Sequence, residues 1–352
     1  MLQLNVNTSV QARRAKVNFP NASIKIAHRP SVKSRAVQDN KFDGVKPNIV
    51  AYFPGQGAQS VGMAKELVAT VPAAKQLFDK ASTILGYDLL KVCVEGPKKE
   101  LDSTAVSQPA IYVASLAAVE KLRQDSGDAA IDAINIAAGL SLGEYTALAF
   151  AGAVSFEDGL RLVKIRGESM QAAANATPSG MVSIVGLDSS KVQKLCEAAC
   201  AEVNDPDAIK IANFLCPGNY AVSGSIKGCE AVEKLGKKFK ARKTIRLAVA
   251  GAFHTQFMQP AVDKLKVALA ATPFQAPRIP VVSNVDAKAH SDPEVIKEIL
   301  SRQITSPVLW ENTVQALLKG GATKSYELGP GKVVNGIVKR FDKTHDIVNI
   351  IA

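Results

Sequence analysis

The sequence predicts an α/β fold: one large domain on a mainly parallel sheet, interrupted by a small βαββαβ unit of ferredoxin-like order. Three observations predict it. From residue 48 the chain reads strand, glycine loop, helix; a second apolar run, 131–138, leads through Gly139-Leu140-Ser141-Leu142-Gly143 into good helix formers; and between residues 181 and 249 the order becomes strand, helix, strand, strand, helix, strand before strand–helix alternation returns.

The first strand is Asn48-Ile-Val-Ala-Tyr-Phe53, an apolar run that ends in Pro54-Gly55-Gln56-Gly57-Ala58-Gln59, with helical patterning resuming near Met63. Helices are predicted over 72–85, which has Pro at its first position, and over 106–124. The strand 131–138 follows, then the helix after Ser141, then a helix opened by the capping box Ser155-Phe-Glu-Asp158. The small unit reads strand 181–187, helix 189–202, strands 209–214 and 220–225, helix 227–241 and strand 244–249. After it come strand 281–285, helices 294–303 and 311–319, strand 325–328 and helix 332–339. The expected division is a leader over 1–45, a large domain over 46–175 and 250–352, and a small domain over 176–249, with a binding cleft between the two domains.

At 352 residues, 47% apolar and 21% charged, the chain has enough material for these two units. Charge interrupts every apolar run before the 18 residues a membrane-crossing helix needs. The net +11 is unevenly spread, since residues 1–38 hold seven Lys/Arg and no Asp or Glu, amid Ser, Asn, Gln and Val. That composition reads as an organelle transit peptide. A nucleic-acid-binding arm is the competing reading, and it lacks aromatic interleaving. The cysteines, Cys93, Cys196, Cys200, Cys216 and Cys229, are odd in number and have no Cys-x-x-Cys pair, which argues for reduced thiols and against zinc. Cys196 and Cys200, one helical turn apart, read either as a redox-sensitive pair or as small hydrophobes.

Ser141 is the leading chemical candidate. A serine in a sharp strand-to-helix turn needs neighbours without Cβ, and Gly139 and Gly143 supply them; the following helix turns its N-terminal N–H groups toward any oxyanion formed there. A serine nucleophile needs a base, and histidine is scarce. His28 lies in the leader, His290 in a polar loop and His345 among charges, whereas His254 follows a strand and a Gly251-Ala252-Phe253 turn. It is therefore expected at a strand end of the same sheet as Ser141, kept neutral by the helix N-terminus that follows. Arg166 shares a helix face with Leu160, Val163 and Met170, and a guanidinium on an apolar stripe needs an anion: an internal Asp or Glu, or a substrate carboxylate.

With these pieces in place the chain resembles the malonyl-CoA:acyl carrier protein transacylases of type II fatty acid synthesis. The resemblance covers roughly residues 48–345. It rests on Phe53-Pro-Gly-Gln-Gly-Ala-Gln59, Gln108-Pro-Ala110, Gly139-Leu-Ser-Leu-Gly-Glu144, Arg166-Gly167, Phe253-His254, Pro280-Val-Val-Ser-Asn284, Arg302-Gln303 and Gly329-Pro-Gly-Lys332. It implies an α/β-hydrolase-like large domain, Ser141 as acylated nucleophile and His254 as base, oriented by an acceptor at Gln303. It further implies an oxyanion hole from the N–H groups of Gln56 and Leu142, a grip on the malonyl carboxylate by Arg166, and cleft positions at Phe253 and Asn213. Phe253 before the base favours malonyl over a larger acyl group. Two positions depart from the family pattern: Leu140 stands where bacterial members commonly have His, and Leu215 where a second Asn is often found.

The implied reaction is a two-step exchange through a serine ester, from malonyl-CoA to the phosphopantetheine thiol of acyl carrier protein, with no metal or other cofactor, no nucleic acid and no membrane. The expected enzyme is a monomer in an organelle, the plastid first and the mitochondrion second. The basic run Lys237 to Lys243 reads either as a docking patch for an acidic carrier protein or as a solvated helix end. Two other readings stand beside this one: a serine thioesterase or lipase using Asp342 and His345, and a non-catalytic carrier-protein-binding module.

Overall fold

The computed structural model describes residues 40–352. Nine strands occur among them: β1 (Ile49–Phe53), β2 (Ile136–Gly139), β3 (Ser179–Val185), β4 (Ile209–Cys216), β5 (Asn219–Ser225), β6 (Lys243–Arg246), β7 (Val281–Val282), β8 (Lys324–Gly329) and β9 (Asp346–Ile351). They form two sheets. One is wholly parallel, in the order β7-β2-β1-β8-β9; the other is antiparallel, in the order β4-β5-β3-β6.

Strand β1 lies at the centre of the parallel sheet, and its sequence explains why. Strand alternation sends Ala51 and Phe53 into one apolar layer and Val50 and Tyr52 into another, so an uninterrupted apolar run buries both faces. The first layer is dominated by the helix Thr104–Ser126, buried on nearly every side, and by Phe156–Ala176 packed along it. The second contains Trp310, Val314, Val334 and Val338 from the helices Trp310–Gly320 and Val333–Phe341. The helix Pro72–Leu85 covers the predicted residues; it starts with Pro and stops at Gly86 (φ 84°).

The antiparallel sheet carries the helices Ser189–Val203 and Ile226–Leu235 against a third apolar cluster that includes Val182, Val192, Leu195 and Val222. It is tied to the rest of the chain where Phe214 donates to the Val308 carbonyl (3.0 Å) and Val308 to that of Ala212 (2.8 Å). No described helix is long and apolar enough to cross a membrane.

Several expected boundaries differ. Residues 128–132 form a short helix, so β2 begins only at Ile136. Strand β6 ends at Arg246 instead of 249, because beyond it only Leu247 donates back to Met181. The edge strand β9 and the helix Leu89–Glu95 were not anticipated; β9 alternates poorly between buried and exposed residues, which hides it from a periodicity reading. Residues 1–39 lie outside the described residues. Residues 40–42, assigned from sequence to the leader, pack on the folded chain: Asn40 donates to the Ala289 carbonyl (2.6 Å), Lys41 to that of Pro277 (2.6 Å), and Phe42 is buried.

Candidate active site

Ser141 sits between β2 and the helix Leu142–Phe150 with φ 52° and ψ −101°, a conformation that costs a non-glycine residue on the order of 1–3 kcal/mol. The flanking glycines are demanded by contact. A Cβ on Gly139 would fall 1.9 Å from the Gly143 carbonyl, and one on Gly143 would fall 2.2 Å from the Phe53 carbonyl oxygen. The nucleophile turn is thus wedged against the C-terminal end of β1, where Leu140 donates to the Phe53 carbonyl at 3.0 Å.

His254 Nε2 lies 2.8 Å from Ser141 Oγ, and its Nδ1 lies 2.8 Å from the Gln303 carbonyl oxygen. A carbonyl can only accept, so Nδ1 carries the proton and Nε2 is left with a lone pair facing the serine hydroxyl. Burial pulls the His254 pKa down to about 4, and the neighbouring Arg166 guanidinium adds to the shift. The imidazole is therefore neutral near pH 7. Its expected place is corrected: it does not end a strand of the parallel sheet but follows β6 of the antiparallel one, in a turn that gives it φ 61°.

Arg166 is buried (1% exposed) on the helix Phe156–Ala176, with Ser155 capping that helix as its sequence predicts. Nη1 donates to Gln108 Oε1 (2.7 Å), and Nη2 donates to Ser141 Oγ (3.1 Å) and Gln303 Oε1 (3.0 Å). The guanidinium lies over the Tyr145 ring, 5.3 Å from its centroid. Every one of these partners is neutral, and Nε has no partner among the described residues. Of the two anions considered for Arg166, the internal carboxylate is not in direct contact with it.

Gln303 joins the pieces. Its carbonyl accepts from His254, its Oε1 from Arg166, and its Nε2 donates to the Ser141 carbonyl (2.9 Å) and to Glu144 Oε2 (2.6 Å). Ser141, Arg166, Phe253, His254, Gln56 and Asn213 all line one cavity of about 540 Å³. The backbone N–H groups of Gln56 and Leu142 take up no hydrogen bond among the described residues, and Leu142 opens the helix Leu142–Phe150. Asn213 Oδ1 is buried without a partner among the described residues. Leu140 and Leu215 add apolar wall to the same cavity.

Other candidates lie elsewhere. His345 Nε2 bonds to Ser325 Oγ (2.8 Å) and His290 Nε2 to Asp286 Oδ2 (2.8 Å), and neither histidine lines the cavity, which removes the Asp342–His345 arrangement as a partner for Ser141. The cysteines are free, and burial pushes the Cys196 thiol up to about 12, away from a reactive thiolate. In the sequence Gln108, Asn284 and Glu144 are only letters of motifs, with nothing local that assigns them a role. Amides and a single carboxylate have no spacing rule that marks them.

An acyl transferase domain family model matches residues 51–347. The human malonyl-CoA-acyl carrier protein transacylase, mitochondrial, is 42% identical over 298 residues, spanning 82% of this chain and 76% of the relative. The corresponding protein of Escherichia coli (strain K12) is 40% identical over 295 residues, spanning 83% and 92%. Among solved structures, an acyl carrier protein S-malonyltransferase from Vibrio cholerae superposes with a TM-score of 0.79 at 37% identity, covering 86% of this chain and 96% of that one. A malonyl-transacylase in complex with its type II PKS acyl-carrier protein superposes with a TM-score of 0.79 at 35% identity, covering 87% and 96%. With that identity across nearly all the described residues, the chain belongs to the acyl transferase domain family, among the malonyl-CoA-acyl carrier protein transacylases.

Proposed function

We propose that the protein transfers the malonyl group of malonyl-CoA to the phosphopantetheine thiol of an acyl carrier protein through an ester on Ser141. The observation that carries this reading is a buried guanidinium with no carboxylate partner among the described residues, 3.1 Å from the candidate nucleophile. An acyl group ending in a carboxylate would supply the missing anion and hold its thioester beside Ser141.

In the first half-reaction Ser141 Oγ attacks the thioester carbon as its proton passes to His254 Nε2. The Gln56 and Leu142 N–H groups stabilise the resulting oxyanion, and collapse expels the CoA sulfur, which takes the proton from His254. In the second half the carrier thiol gives its proton to His254 and attacks the ester carbon, and Ser141 Oγ leaves protonated. Gln303 fixes the imidazole tautomer through its carbonyl, Phe253 and Asn213 shape the cleft around the acyl group, and apolar walls at Leu140 and Leu215 limit water, whose attack would waste the ester.

The test is intact mass after brief mixing with malonyl-CoA. A malonyl adduct mapping to Ser141, discharged by carrier protein, supports the reading; CoA release with free malonate and no adduct would make water the acceptor.

The large unit, 46–175 with 250–352, is read as α/β-hydrolase-like, and 176–249 as a ferredoxin-like insertion, in keeping with the strand order of the antiparallel sheet. The enzyme is proposed to act as a monomer. The basic leader is read as an organelle transit peptide. The mitochondrial names of the mouse and human relatives support that destination ahead of the plastid, and import of a fluorescent protein fused behind residues 1–45 tests it.

A further inference from the structure

Glu144 ends the Gly139–Glu144 motif, yet the acyl transfer derived above gives it no task. It is 3% exposed, three residues beyond Ser141 in the first turn of the helix Leu142–Phe150. One of its oxygens, Oε2, accepts from two donors, the Asn284 backbone N–H (3.0 Å) and Gln303 Nε2 (2.6 Å). Those same two residues hold Ser141 from both sides. Asn284 Oδ1 accepts from the Ser141 N–H (2.6 Å), and Gln303 Nε2 donates to the Ser141 carbonyl (2.9 Å). Asn284 Nδ2 also donates to the Gly139 carbonyl (2.7 Å), closing the ring around the turn.

The strained backbone of Ser141 persists only where its surroundings over-determine it. Both of its peptide groups are pinned by side chains that come from 143 and 162 residues away. Such distant groups need a common anchor that moves with the turn, and Glu144 rides on the same short helix. A carboxyl oxygen can take two N–H donors at once in a shape that water or a hydroxyl reproduces poorly.

We propose that Glu144 is a positioning residue for the acyl transfer: by seating Asn284 and Gln303 it holds Ser141 in the strained conformation that aims Oγ at His254. The proposal rests on Ser141 being the acylated nucleophile. Burial lifts the Glu144 pKa to about 7, so the acceptor geometry, which Gln also offers, is the feature that matters in place of a permanent charge.

The experiment is single-turnover acylation of the whole chain by malonyl-CoA, read by intact mass, with wild type, Glu144→Gln and Glu144→Ala, and with melting curves to confirm that each is folded. Removing the acceptor is expected to lower the limiting acylation rate by about 100-fold, the cost of a misplacement on the order of 1 Å, while the half-saturating malonyl-CoA concentration stays the same. Glu144→Gln is expected to restore most of that rate, a rescue that general destabilisation would not produce. A folded Glu144→Ala with wild-type acylation overturns the proposal, as does a Glu144→Gln as slow as Glu144→Ala. If Glu144→Ala does not fold, Asn284→Ala carries the test, and a wild-type limiting rate there overturns it equally. Absence of an adduct on Ser141 in the wild type is a separate result, and it defeats the underlying function instead.

Discussion

His254 Nε2 and Ser141 Oγ lie 2.8 Å apart across 113 residues of sequence. Ser141 is delivered by the parallel sheet, His254 by the segment that leaves the antiparallel one. The candidate pair therefore exists only while both sheets keep their relative placement, which the hydrogen bonds between Phe214, Ala212 and Val308 help to fix.

Removing either member of the pair separates their roles. Ser141→Ala is expected to abolish both the malonyl adduct and transfer. His254→Ala is expected to slow acylation by roughly 10²- to 10⁴-fold, the usual span for a general base, with the adduct still forming on Ser141. Stopped-flow release of CoA measures both; rapid acylation in His254→Ala would remove the histidine from the reaction.

The pH dependence follows from burial of that histidine. With a native pKa of about 4, the kcat/KM profile should keep its base form well below pH 6.5 and lose it only near pH 4. Stability has the same origin: between about 6.5 and 4 the unfolded chain takes up a proton at this residue and the native state does not, so stability is lost as pH falls through that window. His254→Gln, which cannot titrate, should lose less stability than wild type over the same interval in urea unfolding.

Arg166 should discriminate between acyl groups. Arg166→Ala is expected to lower kcat/KM for malonyl-CoA by roughly 10- to 100-fold more than for acetyl-CoA, because each charge-assisted hydrogen bond lost is worth about 1.5–3 kcal/mol. Arg166→Lys should not restore the preference, since an ammonium lacks the planar fork. Equal losses on the two thioesters would show that the guanidinium serves Ser141 alone.

Gly139→Ala should disrupt the nucleophile turn. The added methyl would lie 1.9 Å from the Gly143 carbonyl, so backbone on one side must move. A fall in melting temperature of about 5 °C or more is expected, together with loss of acylation. A folded, fully acylating variant would mean the turn tolerates a side chain there.

His345→Ala should affect stability without affecting turnover. Its ring is bonded to Ser325 Oγ in the parallel sheet, so removal leaves a buried hydroxyl unpaired, at a cost of about 1–3 kcal/mol, and leaves the acylation rate unchanged. Loss of acylation would bring back the hydrolase arrangement that pairs His345 with Asp342.

Local chemistry was legible from the residues alone. The glycines around Ser141, the N-cap at Ser155, the span 72–85 of a helix, and the uninterrupted apolar run of β1 each follow from constraints acting over a few residues, and the structure places them as read. Type and order were equally plain for the small unit, whose elements follow in the βαββαβ order read from the residues. What escaped was less periodic: β9, with its mixed burial, and the end of β6, where pairing fades after Arg246.

The sequence by itself thus marked the candidate residues for a serine-based acyl transfer, because histidine is scarce and Ser141 and Arg166 stand in demanding local settings, a tight glycine-flanked turn and an apolar helix face. Only the tertiary structure decided that Arg166 touches Ser141, that Gln303 links four groups, and that Glu144 stands behind them. Those contacts join residues far apart in the chain, and their distances follow from how helices and sheets pack. Burial produced by the same packing holds His254 neutral, and among the described residues the Arg166 guanidinium is left to neutral partners.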